Sequence, residues 1–270
     1  MKGLLTLAPL DLSLADMALR ILMGVAAAAL ASLSGVGGGV FFVPIFLFIV
    51  GLPPNIAVGS SKVVVAIVSI VSGLTYLRQG TTRLSRAAPL MVSMIPGAAL
   101  GAYLVAYIDP RLLEVILGLF ITYYSLRLLL VTARKALARE AKPVEEEGSR
   151  GPRPGGRYLM LATGVAAGLF AGLTGTGGGA ILVPMLTLLR IAKLKEAVAI
   201  SMLSISLGAV VSAAIHVWTG VVDFGGAAPF ALGALIGSIL GPMAASRLST
   251  DALRPIVALV LLLVALRLLF

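Results

Sequence analysis

Cysteine is absent from this chain of 270 residues, which excludes disulfides, thiol redox chemistry and cysteine metal sites. Histidine occurs once, and charged residues make up 12% of the chain, against about 25% in soluble domains. There is no histidine pair, no His-Glu-x-x-His motif and no pair of carboxylates within an apolar segment. We therefore expect no enzymatic activity, no metal site and no cofactor.

Apolar residues dominate what remains. They make up 59% of the chain, and the mean hydropathy is +1.08. Long segments such as 256–266 are nearly free of polar residues, so the helices that they predict are apolar on every side. Such helices are typical of bilayer spans. The composition predicts an all-α, multi-pass integral protein of the cell membrane, with the lipid bilayer as its solvent.

The net charge of +10 has a membrane explanation rather than a nucleic-acid one. Seven of the 21 Lys and Arg residues lie between Arg134 and Arg157, and most others lie in short connections. Basic connections are typical of the cytoplasmic side of membrane proteins. A nucleic-acid-binding protein would instead carry a basic face on a soluble domain. We therefore expect no nucleic-acid partner.

The chain is a duplication. The motif Gly-x-Gly-Gly-Gly at 35–39 returns 140 residues later at 175–179, and the same offset holds to the C-terminus. Five apolar segments can be cut from each half; the third is 56–78 in the first half and 196–219 in the second, and the last of the second half is 252–270. The second segment of each half is too short to span a bilayer. We predict a first repeat at 1–137, a charged cytoplasmic linker at 138–157 and a second repeat at 158–270.

Loop charges predict that the two repeats are inverted. In the first half, the loop after the third segment is basic and the loop before it is uncharged, whereas the second half reverses this pattern. The basic residues concerned are Arg78, Arg83 and Arg86 in the first half and Arg190, Lys193 and Lys195 in the second. Because basic loops remain in the cytoplasm, the two units are expected to lie in opposite orientations. The linker is then inside and both termini are outside.

The two glycine motifs predict broken helices at membrane depth. Each glycine weakens a helix by about 1 kcal/mol relative to alanine, and broken backbone in a bilayer survives only where it lines a cavity or is buried in protein. The helix that follows each motif presents free N–H groups and a positive dipole end, which favour an anion. Close helix packing is the alternative explanation. It is the one that we favour for the glycines at 97, 101, 237 and 241.

Polar residues near these turns complete the predicted site. Lys62 lies too deep in its segment for a loop residue, so it is a candidate for anion binding, with snorkelling to the outer interface as the alternative. We expect His216 to be an interfacial polar residue beside Trp218, with a proton-linked role as the alternative. The substrate-binding candidates are Ser34, Gly37, Gly38, Gly39, Ser60, Ser61, Lys62, Thr174, Gly177, Gly178, Gly179 and Ser201.

Taken together, these motifs resemble the TauE/SafE sulfite-exporter family of anion permeases. The resemblance rests on the segments 35–44, 175–184, 57–62, 197–201 and 220–223, with Gly80. It implies a secondary transporter, as an exporter, for sulfite, organosulfonates or related small oxyanions. The second half departs from the pattern with Met202 at the position of Lys62, which predicts a site with one cation.

Other functions and partners stay open at this point. An anion channel is one alternative, and a non-transporting membrane scaffold or assembly factor is another. A coupling ion, H⁺ or Na⁺, is a candidate partner beside the oxyanion, and nothing in the sequence specifies an oligomeric state.

Overall fold

The structure, a computed structural model, describes residues 13–137 and 156–245. Most of the predicted linker, 138–155, and the last predicted segment of the second repeat, 252–270, lie outside the described residues. Within the described part the chain is helical and contains no β-strand. The prediction of an all-α membrane fold is confirmed, since five of the helices are long and apolar enough to cross a bilayer.

The first half contains five helices. They are α1 (Leu14–Ser34), α2 (Gly39–Pro44), α3 (Pro54–Arg78), α4 (Leu84–Val105) and α5 (Pro110–Leu137), and α2 continues as a π-helix over Ile45–Val50. The described part of the second half contains α6 (Gly156–Thr174), α7 (Gly179–Leu188), α8 (Leu194–Trp218) and α9 (Phe224–Ala244). The five long apolar helices are α1, α3, α4, α8 and α9.

Local sequence fixes several of these helix ends. Ser13 precedes α1, and its side chain accepts a hydrogen bond from the Asp16 N–H at 3.2 Å. Asp223 caps α9 in the same way, with an acceptor distance of 3.1 Å from the Gly226 N–H. Pro54 occupies the first turn of α3, where its missing N–H costs nothing. These residues set where the spans begin.

Glycines bring the peripheral helices into close contact with helices of the other half. Added Cβ atoms on Gly97 and Gly101 in α4 would overlap backbone atoms of α6. Gly237 and Gly241 in α9 meet α1 in the same way. The prediction that these four glycines serve helix packing is confirmed. Small residues at such contacts let backbones approach closely and gain dispersion energy where lipid supplies no hydrophobic force.

Helices α3 and α8 form the centre of the molecule. Their most apolar windows are 72% and 67% buried, more than those of the other spans. Gly73, near the end of α3, packs on Leu203 in the first half of α8. A Cβ on Gly59, near the start of α3, would overlap the carbonyl oxygen of Val221, just beyond the end of α8. The two central helices therefore run antiparallel.

The surface is apolar, and the polar side chains of the membrane spans are buried among apolar ones in the interior, which is the distribution that lipid favours. Exposed leucine, isoleucine and methionine side chains cover the outside of α9, at positions 232, 235, 236, 239, 240 and 243. Hydroxyl side chains are instead buried along α3 and α8, at positions 60, 61, 69, 72, 201, 204, 206 and 212. Polar groups inside a membrane protein face the interior, and there they mark substrate pathways.

The connecting loops meet in two groups. Arg86, at the start of α4, forms an ion pair with Glu196, at the start of α8. Elsewhere, the Asp223 N–H before α9 donates to Ser60 Oγ in α3 at 2.8 Å, and a Cβ on Gly226 would lie 3.2 Å from Val50. The loop before α4 therefore neighbours the loop before α8, and the loop before α9 neighbours the loop before α3.

Candidate functional site

The two glycine motifs lie in the interior and touch each other. Helix α1 ends at Ser34 and α2 begins at Gly39, while α6 ends at Thr174 and α7 begins at Gly179. A Cβ atom on Gly37 would lie 3.2 Å from the Gly177 Cα. All glycines of both motifs are buried. The structure therefore brings the two predicted halves of the site together, one turn against the other.

Only glycine fits at the closest approaches. A Cβ on Gly39 would overlap the Gly175 carbonyl oxygen, and one on Gly179 would overlap the Gly35 carbonyl oxygen. Gly38 has φ of 91° and Gly178 has φ of 83°, a region that L side chains rarely adopt. The glycines therefore serve two purposes: they turn the chain sharply, and they let one turn approach the other at backbone distance.

Backbone N–H groups at the start of α2 and α7 carry no hydrogen bond. Among the described residues, no acceptor is found for the N–H groups of Gly39 and Val40, or for those of Gly179 and Ala180. The first residues of a helix have no partner within it, and they form the positive end of its dipole. Free donors in a buried, uncharged region are suited to hold an anion.

Each turn is bonded to a helix of the opposite half by one of the predicted serines. Ser201 Oγ in α8 donates to the Gly35 carbonyl at 2.8 Å, and Ser61 Oγ in α3 donates to the Gly175 carbonyl at 3.4 Å. Ser60 Oγ accepts from the Asp223 N–H. In this conformation Ser61 and Ser201 use their hydrogens to hold backbone. An anion would have to take over those hydrogens in order to bind them.

Ser34 and Thr174 bond mainly to their own helices. Ser34 Oγ donates to the Leu30 carbonyl at 2.9 Å, and Thr174 Oγ1 donates to the Phe170 carbonyl at 2.8 Å. Thr174 also shares a hydrogen bond with Thr176, with the two hydroxyl oxygens 2.8 Å apart. Both side chains lie next to the turns, but neither donates to the opposite half.

Lys62 is buried inside the protein. Lys62 is 1% exposed, and its ammonium group forms no ion pair with any described residue. The alternative that Lys62 snorkels to the outer interface is therefore wrong, because a snorkelling ammonium reaches the surface. The residue at the matching position, Met202, is buried as well. A buried lysine thus follows directly on Ser61, the serine that bonds to the Gly175 turn.

His216 differs from the sequence-based expectation. We expected an interfacial residue, yet His216 is 0% exposed, because α3 and α6 cover the end of α8. Its ring lies beside the Gly172 carbonyl, but neither ring nitrogen makes a hydrogen bond of normal geometry with a described residue. Ser212, one helical turn earlier, is also buried without a partner. Sequence reasoning missed Ser212, although its match with Ser72 at the repeat offset was a signal.

Comparisons with known proteins agree with the transporter architecture. The model of the family described as "Sulfite exporter TauE/SafE" matches residues 20–268. The chain is 26% identical to the probable membrane transporter protein YunE of Bacillus subtilis, over 93% of this chain and 96% of that protein. It is 28% identical to the probable membrane transporter protein YjnA of the same organism, over 92% and 98%. No solved structure matches the chain.

Proposed function

Since the chain belongs to the TauE/SafE sulfite-exporter family and is thus a membrane transporter, we propose that it exports small sulfur-containing oxyanions, such as sulfite or organosulfonates. The observation that supports an anionic substrate is Lys62, a buried cation without an ion-pair partner among the described residues. A buried charge is costly unless it is paired. An anion that binds beside Lys62 would remove that cost, whereas a cation would increase it.

We propose that the two halves are inverted repeats. Three observations support this proposal: the antiparallel orientation of α3 and α8, the Arg86–Glu196 ion pair, and the hydrogen bond from the Asp223 N–H to Ser60. The ion pair joins the regions that carry the basic loop of each half, and the hydrogen bond joins the acidic loop before α9 to the start of α3, which follows an uncharged loop. Basic loops on one side, and acidic or neutral loops on the other, fit one cytoplasmic and one external surface.

The proposed substrate site lies where the two glycine turns meet. The free N–H groups of α2 and α7 would bind the oxygens of the anion, and Lys62 would balance its charge. Ser60, Ser61 and Ser201 lie on the adjoining helices and would exchange their present partners for the anion. Alternating access would come from movement of the α1–α2 and α6–α7 units against the central helices, which would open the closed turns to one side at a time.

Transport in proteoliposomes tests the proposal. Purified protein would be supplied with sulfite, methanesulfonate, sulfate and acetate, each with and without Na⁺ and pH gradients. We expect saturable transport of a sulfur oxyanion, stimulated by one of the gradients, and everted vesicles should accumulate it if the direction is export. Flux that rises linearly with concentration would instead indicate a channel, and no flux of any anion would favour a scaffold.

Lys62→Met is the sharpest variant for this assay, because it copies Met202 and should fit sterically. Loss of one hydrogen bond to a charged group costs about 1.5–3 kcal/mol, so the apparent affinity should fall roughly ten- to a hundredfold. Lys195→Met removes the same charge from an exposed position and serves as the control. Equal affinities in the two variants would contradict the proposed role of Lys62.

A further inference from the structure

Three buried polar residues lie where the start of α3 meets the end of α8, as the contact of Gly59 with Val221 shows; one lacks an ion-pair partner and two lack hydrogen-bond partners among the described residues. They are Lys62 in α3 and Ser212 and His216 in α8, here named the Lys62 cluster. Lys62 is 1% exposed and the other two are 0% exposed. Ser212 Oγ and both ring nitrogens of His216 make no hydrogen bond with a described residue. Buried polar side chains are nearly always hydrogen-bonded, so this concentration of unpaired groups requires an explanation.

The opposite end of the central helix pair provides an internal control. The positions that match the Lys62 cluster hold Met202, Ser72 and Tyr76, and all three are buried. Tyr76 donates to the Ser32 carbonyl at 2.9 Å. Ser72 bonds to the Ser32 hydroxyl and to the Ser238 carbonyl. The matching region therefore contains no charge, and its polar groups are satisfied within the protein.

The difference between the two regions has a simple origin in the sequence. Ser32 supplies the hydroxyl that Ser72 uses, and the residue that matches Ser32 is Gly172. Gly172 has no side chain to offer Ser212. A Cβ there would lie 2.7 Å from the Ala102 nitrogen and 2.7 Å from the Ala98 oxygen. The close packing of α6 on α4 thus excludes any larger residue, and Ser212 is left without a protein partner.

The chemistry of the unpaired groups defines the kind of ligand that would satisfy them. A lysine ammonium can only donate, a serine hydroxyl can donate, and a neutral imidazole can donate through one ring nitrogen. A small oxyanion offers several acceptor oxygens and the opposite charge to Lys62. A cation would be repelled by Lys62. Water would satisfy the hydrogen bonds, but it would leave the buried charge unpaired.

We propose that Lys62, Ser212 and His216 together bind the charged group of the transported oxyanion, and that this site exists at only one of the two matching ends of the α3–α8 pair. This inference rests on the proposed function, and it adds Ser212 and His216 to the proposed substrate site. Lys62 supplies the charge, while Ser212 and His216 direct hydrogen bonds to the oxygens. The duplicated scaffold thereby holds one anion per chain, although its backbone has two matching halves.

Binding measured by isothermal titration calorimetry tests this proposal, with sodium sulfite and sodium methanesulfonate as probes on the full chain in detergent. We expect one site per chain in the wild type. Ser212→Ala and His216→Tyr should each weaken binding of the better probe by about tenfold. His216→Tyr copies Tyr76, so its hydroxyl can donate to the Gly172 carbonyl as Tyr76 does to that of Ser32. The matched controls Ser72→Ala and Tyr76→Phe should change the dissociation constant by less than twofold.

The outcomes separate this inference from the proposed function. If the wild type binds a probe and both Ser212→Ala and His216→Tyr bind it equally well, the inference is wrong and the proposed function stands. If the controls weaken binding as much as the cluster variants, the one-sided site is wrong. If the wild type binds neither probe and transports no anion, both proposals fail. Should His216→Tyr not fold, Ser212→Ala alone decides between the first two outcomes.

Discussion

Ser201 and Ser61 occupy matching positions, but the structure predicts that their removal has unequal effects on stability. Ser201 Oγ lies 2.8 Å from the Gly35 oxygen, and Ser61 Oγ lies 3.4 Å from the Gly175 oxygen. Hydroxyl donors prefer about 2.7–2.8 Å from their acceptor, and the interaction is weak near 3.5 Å. The first hydrogen bond is therefore close to its optimum, whereas the second is stretched.

The expected magnitudes follow from this difference. Side-chain hydrogen bonds in membrane proteins contribute about 0.6 kcal/mol on average and about 1.7 kcal/mol at most. Ser201→Ala should approach the upper figure, because it also leaves a buried carbonyl without that donor. Ser61→Ala should cost less than about 0.5 kcal/mol. In a chain of this size, 1 kcal/mol corresponds to roughly 2–4 °C in the melting temperature.

Thermal unfolding in one detergent, followed by the fluorescence of Trp218, measures the difference between the two variants. Ser204→Ala is the control, because Ser204 Oγ donates to the Ile200 carbonyl of its own helix at 2.7 Å and not to the opposite half. We expect the melting temperature of Ser201→Ala to fall below those of both other variants. Equal melting temperatures for Ser201→Ala and Ser61→Ala would refute the argument that the stronger bond fastens the α1–α2 turn.

Two further predictions test the arrangement of the halves and of the turns. Single cysteines at Gln79 and Thr219, in a chain that has none, should be labelled from opposite sides of the membrane. The reason is that these matching positions follow α3 and α8, which run antiparallel. Labelling of both from one side would contradict the inverted arrangement. Gly39→Ala should yield little folded protein by size-exclusion chromatography, because its Cβ would overlap the Gly175 carbonyl. The control Gly225→Ala should fold normally, because the atom nearest to its Cβ, a carboxylate oxygen of Asp223, is 3.5 Å away. Similar yields would show that the two turns do not touch as described.

The long helices were largely predictable from the sequence. The apolar segments at 56–78 and 196–219 predicted α3 and α8, and the observed helices are Pro54–Arg78 and Leu194–Trp218. Such long apolar runs between breaker residues leave little choice of structure, since backbone in lipid must satisfy its own hydrogen bonds. The positions of the glycine turns were equally predictable, because the same motif occurs in both repeats.

Contacts between the halves were not predictable in this way. The burial of Lys62 and His216 depends on how α3 crosses α8 and on where α6 ends, and neither follows from the periodicity of a single segment. A substitution of Gly38 or Gly178 by valine illustrates the same limit. The sequence alone predicts that a valine side chain at either turn blocks the approach of an anion to the free N–H groups and does nothing else. In the structure both residues have positive φ, and a Cβ on Gly178 would lie 2.7 Å from the Ala167 oxygen, so the substitution would strain the fold as well.

Divergence after the duplication explains why the Lys62 cluster occurs at one end of the central helix pair and not at both. Two identical repeats would place identical side chains around the central helices, so any cation that served one region would appear in both. Each unpaired cation in a dry interior is costly to bury. Met202 at the position that matches Lys62 avoids that cost a second time, and Tyr76 at the position that matches His216 satisfies its own hydroxyl on the Ser32 carbonyl. One end of the central helix pair then keeps a rigid packing whose polar groups are paired within the protein, and the other end keeps free donors whose desolvation only an incoming anion can offset.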